Sequence, residues 1–380
     1  IMPLEVWLHD NNLTTPTLLD NLTERVEKLN FSTGLNGGFR LCSFNVNMPA
    51  SEAWMWLSRE GKRGFHFNRI TVHDGLTLVW EGRVMEIQLN IQAGQESITV
   101  KAQGYWGACR DQLYDADTHT DWTSGSGHTI DDIVKELLTE ECPDINSDQS
   151  NIAAGTRDLV GIDFSAKQYP QVRINELTNL SDNDYAVWFF AVWDNRVPYL
   201  FKRSVTAIDW HIWLDSLQDL RLDQSALELR NSILPVAGGT EKTAVVDAAS
   251  QVLYPVREAT FTLPTGMAND PSTDAGTKEV TERGLPRQRI AFKVSGRIYR
   301  STSNAGGRLE EIPKWHVRAG EVIRIQDLVA GTATVSLDDV RTFYIMETQY
   351  DADTDVLTIQ PDRRSRRLTD LIPRAVTVER

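Results

Sequence analysis

Residues 86–92 read Glu86-Ile87-Gln88-Leu89-Asn90-Ile91-Gln92, polar and apolar in strict alternation. Successive side chains leave a strand on opposite faces, so this spelling sets Ile87, Leu89 and Ile91 on one side and polar groups on the other. Ser97 to Ala102 repeats the pattern with Ile98, Val100 and Ala102. Between them, Ala93-Gly94-Gln95-Glu96 is turn chemistry, and 84–102 is expected to form a β-hairpin.

The same texture extends upstream. Phe67–Val72 and Thr77–Val84 flank His73-Asp74-Gly75, and Asp-Gly between apolar alternations is a strong hairpin signal. Val26–Ser32 and Phe39–Asn47 flank Gly34-Leu35-Asn36-Gly37-Gly38. One helix is expected among these strands, Ser51–Arg59, with Ser51 as N-cap and Ala53, Trp54 and Leu57 on its inner side. Residues 1–105 therefore predict a compact antiparallel sheet or barrel.

Downstream the pattern changes. Asp115 to Thr129 is rich in Asp, Thr, Ser and Gly and reads as a loop. A helix follows over Ile130–Glu141, capped by Thr129 and stopped by Pro143. A polar loop covers 144–158, a short helix Arg173–Leu180, and Tyr185–Phe190 with Val197–Lys202 form a hairpin around Asp194-Asn195. From Trp210 strands return, through Ala226–Val236. Residues 264–288, with prolines and small polar residues, are expected to be a long mobile loop. Glu321–Ile325, Arg341–Thr348 and Val356–Gln360 are strands, the last two joined tightly by Tyr350-Asp351-Ala352-Asp353-Thr354-Asp355. The fold class is mainly β, α+β overall: two antiparallel β modules of similar size, an α+β module between them, and a loop-rich insertion in the second. The similar size points to an internal duplication.

Composition limits the function. Of 380 residues, 41% are hydrophobic and 24% charged, a globular balance. No run of about 18 apolar residues offers a membrane-spanning helix, and the N-terminus lacks the basic, apolar, small-residue order of a leader. With 53 acidic against 39 basic side chains the net charge is −14. That excludes a protein gripping nucleic acid over its whole surface, which needs cations to displace counterions. An acidic protein can still enclose DNA that must slide. Cys42, Cys109 and Cys142 are odd in number and widely spaced, so they read as reduced, buried thiols rather than a disulfide framework or a zinc site.

Candidate chemistry is sparse. Asp351-Ala352-Asp353-Thr354-Asp355 opens like a calcium loop, but Val356 and Asp362 stand where that loop needs Gly and Glu. Gly238-Gly239-Thr240-Glu241-Lys242-Thr243 puts Glu241 where a phosphate loop needs Gly before its Lys. Asp115, Asp117, His119, Asp121 and His128 cluster in one loop; a metal site is the alternative to a solvated polar loop. There is no nucleophile elbow and no zinc-protease helix motif. Catalytic, cofactor-binding and metal residues are therefore expected to be none, and the chain is not expected to be an enzyme. Of eleven tryptophans, Trp80, Trp188, Trp193, Trp210 and Trp213 sit beside strands and read as core or interface anchors, with a carbohydrate platform as the alternative. The cluster Arg363-Arg364-Ser365-Arg366-Arg367 reads as docking onto an acidic neighbour rather than onto DNA.

Val317-Arg318-Ala319-Gly320-Glu321-Val322-Ile323-Arg324-Ile325-Gln326-Asp327-Leu328, Thr342-Phe343-Tyr344-Ile345 and Tyr350 to Ile359 resemble the C-terminal end of phage tail hub proteins. Trp188–Trp193 before Tyr199-Leu200-Phe201 and Arg203-Ser204 is similar to the hub's peripheral domain, and Ser250 to Arg257-Glu258 to the start of its insertion. The resemblance implies two tail-tube-like β-barrel domains, at 1–105 and at 206–240 plus 311–362. It implies peripheral domains at 106–205 and 241–310, with 363–380 as a basic tail, and a helix at 51–59 on the first barrel's flank. Three copies would form a pseudo-sixfold ring continuing the tail channel in the virion's tail tip, assembled in the host cytoplasm without stable membrane insertion. Its partners would be the distal tail protein, the tape-measure protein's C-terminus and a spike, fibre or receptor-binding protein. DNA would pass through the lumen without sequence-specific binding, and lumen-facing acids would repel its phosphates. The alternative is a tail-associated cell-wall hydrolase or a carbohydrate-binding receptor module.

Overall fold

The computed structural model describes residues 4–361 apart from 13, 60–61, 64, 93–94, 115–127, 160–161, 163–166, 183, 204–207, 302–307 and 328–341. Its first module holds β1 (Leu4–His9), β2 (Leu18–Asn21), β3 (Val26–Gly34), β4 (Gly37–Asn47), α1 (Ala50–Leu57), β5 (Ser58–Arg59), β6 (Lys62–Arg63), β7 (Arg69–Asp74), β8 (Thr77–Gln92) and β9 (Gln95–Gln103). The main sheet runs β2-β1-β7-β8-β9-β4-β3, antiparallel throughout. The alternating stretch pairs as a hairpin, Gln88 opposite Thr99 and Leu89 opposite Ile98. Ile87, Ile98, Val100 and Ala102 are buried, while Ile91 near the tip is exposed. The segments read separately as 77–84 and 86–92 are one 16-residue strand, β8.

The helix needs correction. It begins at Ala50, so Ser51 lies inside it instead of capping it. Ala53 and Trp56, three apart, make the buried pair, whereas Trp54 is 58% exposed. It stops at Leu57 because the chain enters β5, which pairs with β6.

The middle region contributes α2 (Ile130–Glu141), α3 (Pro170–Thr178), β10 (Trp188–Trp193) and β11 (Val197–Lys202). Thr129 and Asp132 form a reciprocal capping box on α2, and Pro170 opens α3, which starts three residues before its expected position. Ile133, Val134, Leu137 and Leu138 bury against a core shared with Trp188, Phe190 and Leu200. The end of β10 runs parallel to Gly37-Gly38 of β4. A Cβ on Gly38 would lie 2.1 Å from the Val192 carbonyl oxygen, so only glycine permits this approach.

The remainder comprises β12 (Trp210–Trp213), β13 (Leu217–Ser225), β14 (Ser232–Ala237), β15 (Thr240–Glu241), β16 (Val245–Val246), α4 (Ala248–Leu253), β17 (Glu258–Leu263), α5 (Asn269–Arg283), β18 (Arg287–Val294), β19 (Ile298–Ser301), β20 (Leu309–Ile312), β21 (Val322–Gln326), β22 (Thr342–Asp351) and β23 (Val356–Pro361). The second module's sheet runs β13-β18-β23-β22-β21-β12-β19-β20, antiparallel except for β12 with β21.

Two expectations fail here. The stretch 264–288 is no long loop: it carries the 15-residue helix α5. Its small polar residues are poor helix formers, but Pro271, Ala275, Gly276 and Val280 are buried, and tertiary packing overrides propensity. The hydroxyls of Ser272, Thr273 and Thr277 fold back onto carbonyls four residues earlier, which keeps them satisfied inside the helix. The insertion is also bounded differently. β14, assigned by sequence to the second β module, leaves it to pair with β15, β16 and β17. β18 and β19, placed by sequence in the insertion, belong to the module's sheet.

The two modules repeat each other in register. In β8 the pairing with β9 shifts between Val84 and Glu86; in β22 the pairing with β23 shifts between Ile345 and Glu347. Val84 exchanges bonds with the Phe67 amide (2.8 Å) and the Asn68 carbonyl (2.9 Å), and Ile345 does the same with Gly320 (2.8 Å) and Glu321 (2.9 Å). Phe67 and Gly320 share positive φ, 65° and 96°. Phe44 and Val46 of β4 match Phe292 and Val294 of β18, each paired to the following hairpin's second strand. A short 3-10 turn precedes both β3 and β13. The duplication expected from module size is thus visible as matched bulges and bonds.

Candidate functional site

None of the sequence's candidate chemical motifs forms a reaction centre in the described residues. Gly238 and Gly239, at φ 54° and 81°, make the two-residue turn joining β14 to β15. The Asp351–Asp355 segment is the β22–β23 turn, where Asp351 accepts the Asp353 amide (3.0 Å) and Asp355 accepts the Tyr350 hydroxyl (3.0 Å). Asp115, Asp117, His119 and Asp121 lie outside the described residues, as does the Arg363–Arg367 cluster. His128 is described just before α2, and its carbonyl accepts the Leu159 amide. Among the described residues no group of three His, Cys, Asp or Glu side chains is placed to hold a metal. All three cysteines are buried. Trp80, Trp188 and Trp210 are fully buried. Trp193 and Trp213 are half-buried and meet Phe39 and Tyr299 edge-on, at 5.1 and 4.9 Å.

What the chain does build is a joined sheet. β3 pairs antiparallel with the second half of β22, from Glu347 opposite Gly34 to Asp351 opposite Asn30. The inner side of this junction is closed by Phe31 against Tyr350 (5.5 Å) and by a 2.6 Å hydroxyl contact between Thr33 and Thr348. Both modules therefore share one core.

The opposite face is mostly polar, with Leu41 exposed among the polar side chains. One row reads Glu86, Lys101, Ser43, Asn30, Asp351 across five strands. Asn90, Thr99 and Asn45 are linked through the Thr99 hydroxyl at 2.8 and 2.9 Å. Two of its carboxylates are paired locally: Glu86 with Lys101 at 3.0 Å and Glu347 with Arg40 at 2.6 Å. A shallow concavity of about 360 Å³ lies where the modules meet, lined by Ser32, Arg40, Glu347, Gln349 and Thr358 among others.

Polar clasps hold this sheet to its surroundings, and sequence reading missed them. Arg318 donates to the Leu78 carbonyl (2.7 Å) and Asp194 (3.0 Å), and stacks over Phe39 and Trp193. It thus ties the second module to the first and to the middle region. Buried Glu81 accepts from Arg69 (2.6 Å) and the Arg196 amide (2.7 Å). Burial pushes its carboxyl above the usual range, only partly offset by Arg69. Glu321 accepts the Trp210 indole (2.7 Å) and the Arg318 amide (2.8 Å), and burial raises its pKa too. Burial works against ionised Asp74, yet bonds from His316 (2.7 Å) and Trp315 (3.0 Å) hold it below the usual carboxylate range. No local motif announces these contacts. The repeat was within reach, because Val84-Met85-Glu86-Ile87-Gln88 and Ile345-Met346-Glu347-Thr348-Gln349 share four like positions of five.

Among the strands that correspond to the two partners of the junction, two edges stay open. Among the described residues β13 pairs only with β18, and β8 from Glu86 to Asn90 pairs only with β9.

The same arrangement occurs in solved tail proteins. The tail protein from Neisseria meningitidis MC58 matches with a TM-score of 0.61 at 10% identity, over 94% of this chain and 96% of that one. The 43 kDa tail protein of prophage MuSo2 from Shewanella oneidensis matches at 0.59 and 11%, over 94% and 98%. Prophage tail protein gp18 from Listeria monocytogenes EGD-e matches at 0.52 and 10%, over 98% and 99%. No family model and no curated protein sequence matches the chain. At such identities the likeness is one of fold, and the chain has the fold of these phage tail proteins over nearly its whole length.

Proposed function

We propose that this chain is the structural hub of a phage or phage-like tail tip. Three copies form a ring of six tube-like modules that continues the tail channel and adapts it to a central spike or fibre. The observation that carries this reading is the in-chain junction. Two modules repeating each other join edge to edge through β3 and β22, leaving equivalent edges unused at either end. A repeat that joins head to tail and keeps its end contacts open closes into a ring when the turn per module fits. The tail-protein fold supports the assignment.

In that ring the polar face of the joined sheet lines the channel and the apolar face packs outward on the core. The lining carries amides and hydroxyls, the Glu86–Lys101 and Glu347–Arg40 pairs, Asp351 and the exposed Lys293, so DNA meets a hydrated surface of mixed charge. Of the acids expected to face the channel, Glu86, Glu347 and Asp351 stand on this face, the first two paired with cations. The distal tail protein, the tape-measure C-terminus and a spike, fibre or receptor-binding protein are the partners. The role is assembly and DNA delivery, without catalysis. The tryptophans behind the carbohydrate reading are spent in packing.

Mass photometry and sedimentation of the purified chain test this. A species of three times the 42.9 kDa chain mass, seen as a hollow ring by electron microscopy, is expected. A monomer persisting at tens of micromolar would refute it.

A further inference from the structure

The repeat supplies a template for the contact between chains. Matching the two bulges sets Glu86, Gln88 and Asn90 of β8 in the places of Glu347, Gln349 and Asp351 of β22. Matching the strands that follow sets Arg221, Asp223 and Ser225 of β13 in the places of Asn30, Ser32 and Gly34 of β3. Each module therefore has one acceptor edge and one donor strand. Inside the chain, the first module's donor, β3, occupies the second module's acceptor, β22. The second module's donor and the first module's acceptor remain.

Resting on the ring reading above, we propose that β13 of one copy adds antiparallel to β8 of the next. The register is that of the in-chain junction: Glu86 opposite Ser225, Gln88 opposite Asp223 and Asn90 opposite Arg221 of the second copy. The occupant is a second copy of this chain because the edge it must satisfy has already been satisfied once, by the equivalent strand. The unused donor and acceptor lie at opposite ends of the joined sheet. Their contact is heterologous and propagates around a ring rather than closing a two-fold dimer. It also covers two edges of unpaired amides and carbonyls, the feature that makes open sheets aggregate.

The template fixes the pair type as well. The Leu35 amide donates to the Met346 carbonyl, which makes that a hydrogen-bonded pair. Alternation then makes Ser32 with Gln349 a non-hydrogen-bonded pair, and Asp223 with Gln88 likewise. Such partners approach to about 4.5 Å between Cα atoms, within disulfide range.

The test is cysteine crosslinking of the full chain under mild oxidation. Ser32→Cys with Gln349→Cys, an in-chain pair, serves as control for folding and oxidant: it forms a disulfide without adding mass. Gln88→Cys with Asp223→Cys is expected to give covalent dimers and trimers that reductant reverses. Each single variant, and the out-of-register pair Gln88→Cys with Gln224→Cys, stays monomeric on denaturing gels. If the unmodified chain is trimeric but the Gln88/Asp223 pair does not crosslink while the control does, this contact is wrong and the ring stands. If the unmodified chain is monomeric at tens of micromolar, the ring reading itself falls.

Discussion

Replacing Arg318 with Met tests whether the three regions are clasped or merely adjacent. The side chain is 23% exposed, its guanidinium bonded to the Leu78 carbonyl and to Asp194, with the Phe39 and Trp193 rings at 5.2 and 5.7 Å. A charged bond to a carbonyl contributes about 1.5–3 kcal/mol. Each cation–π contact adds about 0.5–1 kcal/mol, and a partly exposed ion pair at most about 1 kcal/mol. Met keeps the apolar stem against the rings, and these terms overlap, so a net loss of about 3 kcal/mol is expected. Thermal unfolding should drop by roughly 4 °C at this chain length. The loosening should concentrate between modules, so limited proteolysis should cut faster around the middle region while β-sheet circular dichroism holds. A double-mutant cycle with Asp194→Asn should give a coupling of about 1 kcal/mol. A loss below about 0.5 kcal/mol, with unchanged proteolysis, would show that Arg318 does not clasp the three regions.

Burial, helped by Arg69 and His73, lowers the His9 pKa to about 4. Between there and its ordinary value of 6.5 the unfolded chain binds a proton that the folded one refuses, so stability is full above pH 6.5 and falls towards pH 4. His9→Gln should remove about 1 kcal/mol of that dependence after allowance for solvent screening, and a thermal-unfolding series in pH identical to the parent's would contradict this. Gly38→Ala brings a Cβ against Val192 at φ 77° and should cost at least about 2 kcal/mol; an unchanged melting temperature would mean that β4 and β10 are not in contact. Glu86→Gln frees Lys101 on the polar face with little effect on stability. It should give the assembled protein salt-dependent retention of duplex DNA that the parent lacks, whereas a parent that already binds duplex would overturn the proposal that this face lines a DNA channel.

The hairpins were legible because their information is local. At 86–102 the period of two agrees with the pairing, and with the burial of all but Ile91 near the tip, within one short segment. The α5 helix was illegible for the opposite reason. A Cβ on Gly276 would come within 2.9 Å of Pro235, so it is the strand beneath that accounts for a helix in a sequence of loop-like residues. The α1 face was misread because Trp54 was set beside Ala53 and Leu57; the buried tryptophan is Trp56, which two residues on along a helix points a different way. The β3–β22 junction joins residues 315 apart at Thr33 and Thr348, and no pattern of period two can name a strand's partner at that distance.

The position of the insertion gives the duplication its use. In the first module β3 and β4 are joined by the tight Leu35-Asn36 turn, against which β10 docks at Gly37-Gly38. At the equivalent place between β13 and β18, the second module carries the whole unit from β14 to α5. Middle region and insertion share a second core in which Met267 and Ala275 join Leu177 and Trp188, and Lys278 reaches the Asn179 carbonyl. The extra mass of both modules is thus gathered at one end of the β3–β4 and β13–β18 pairs, away from the polar face of the joined sheet. In the proposed ring of three chains, that polar face would repeat six times because the register repeats in each module. The periphery repeats only three times because the insertion does not. A duplicated chain can thereby meet a sixfold tube on its lining and a threefold spike on its rim, which six identical single modules could not do.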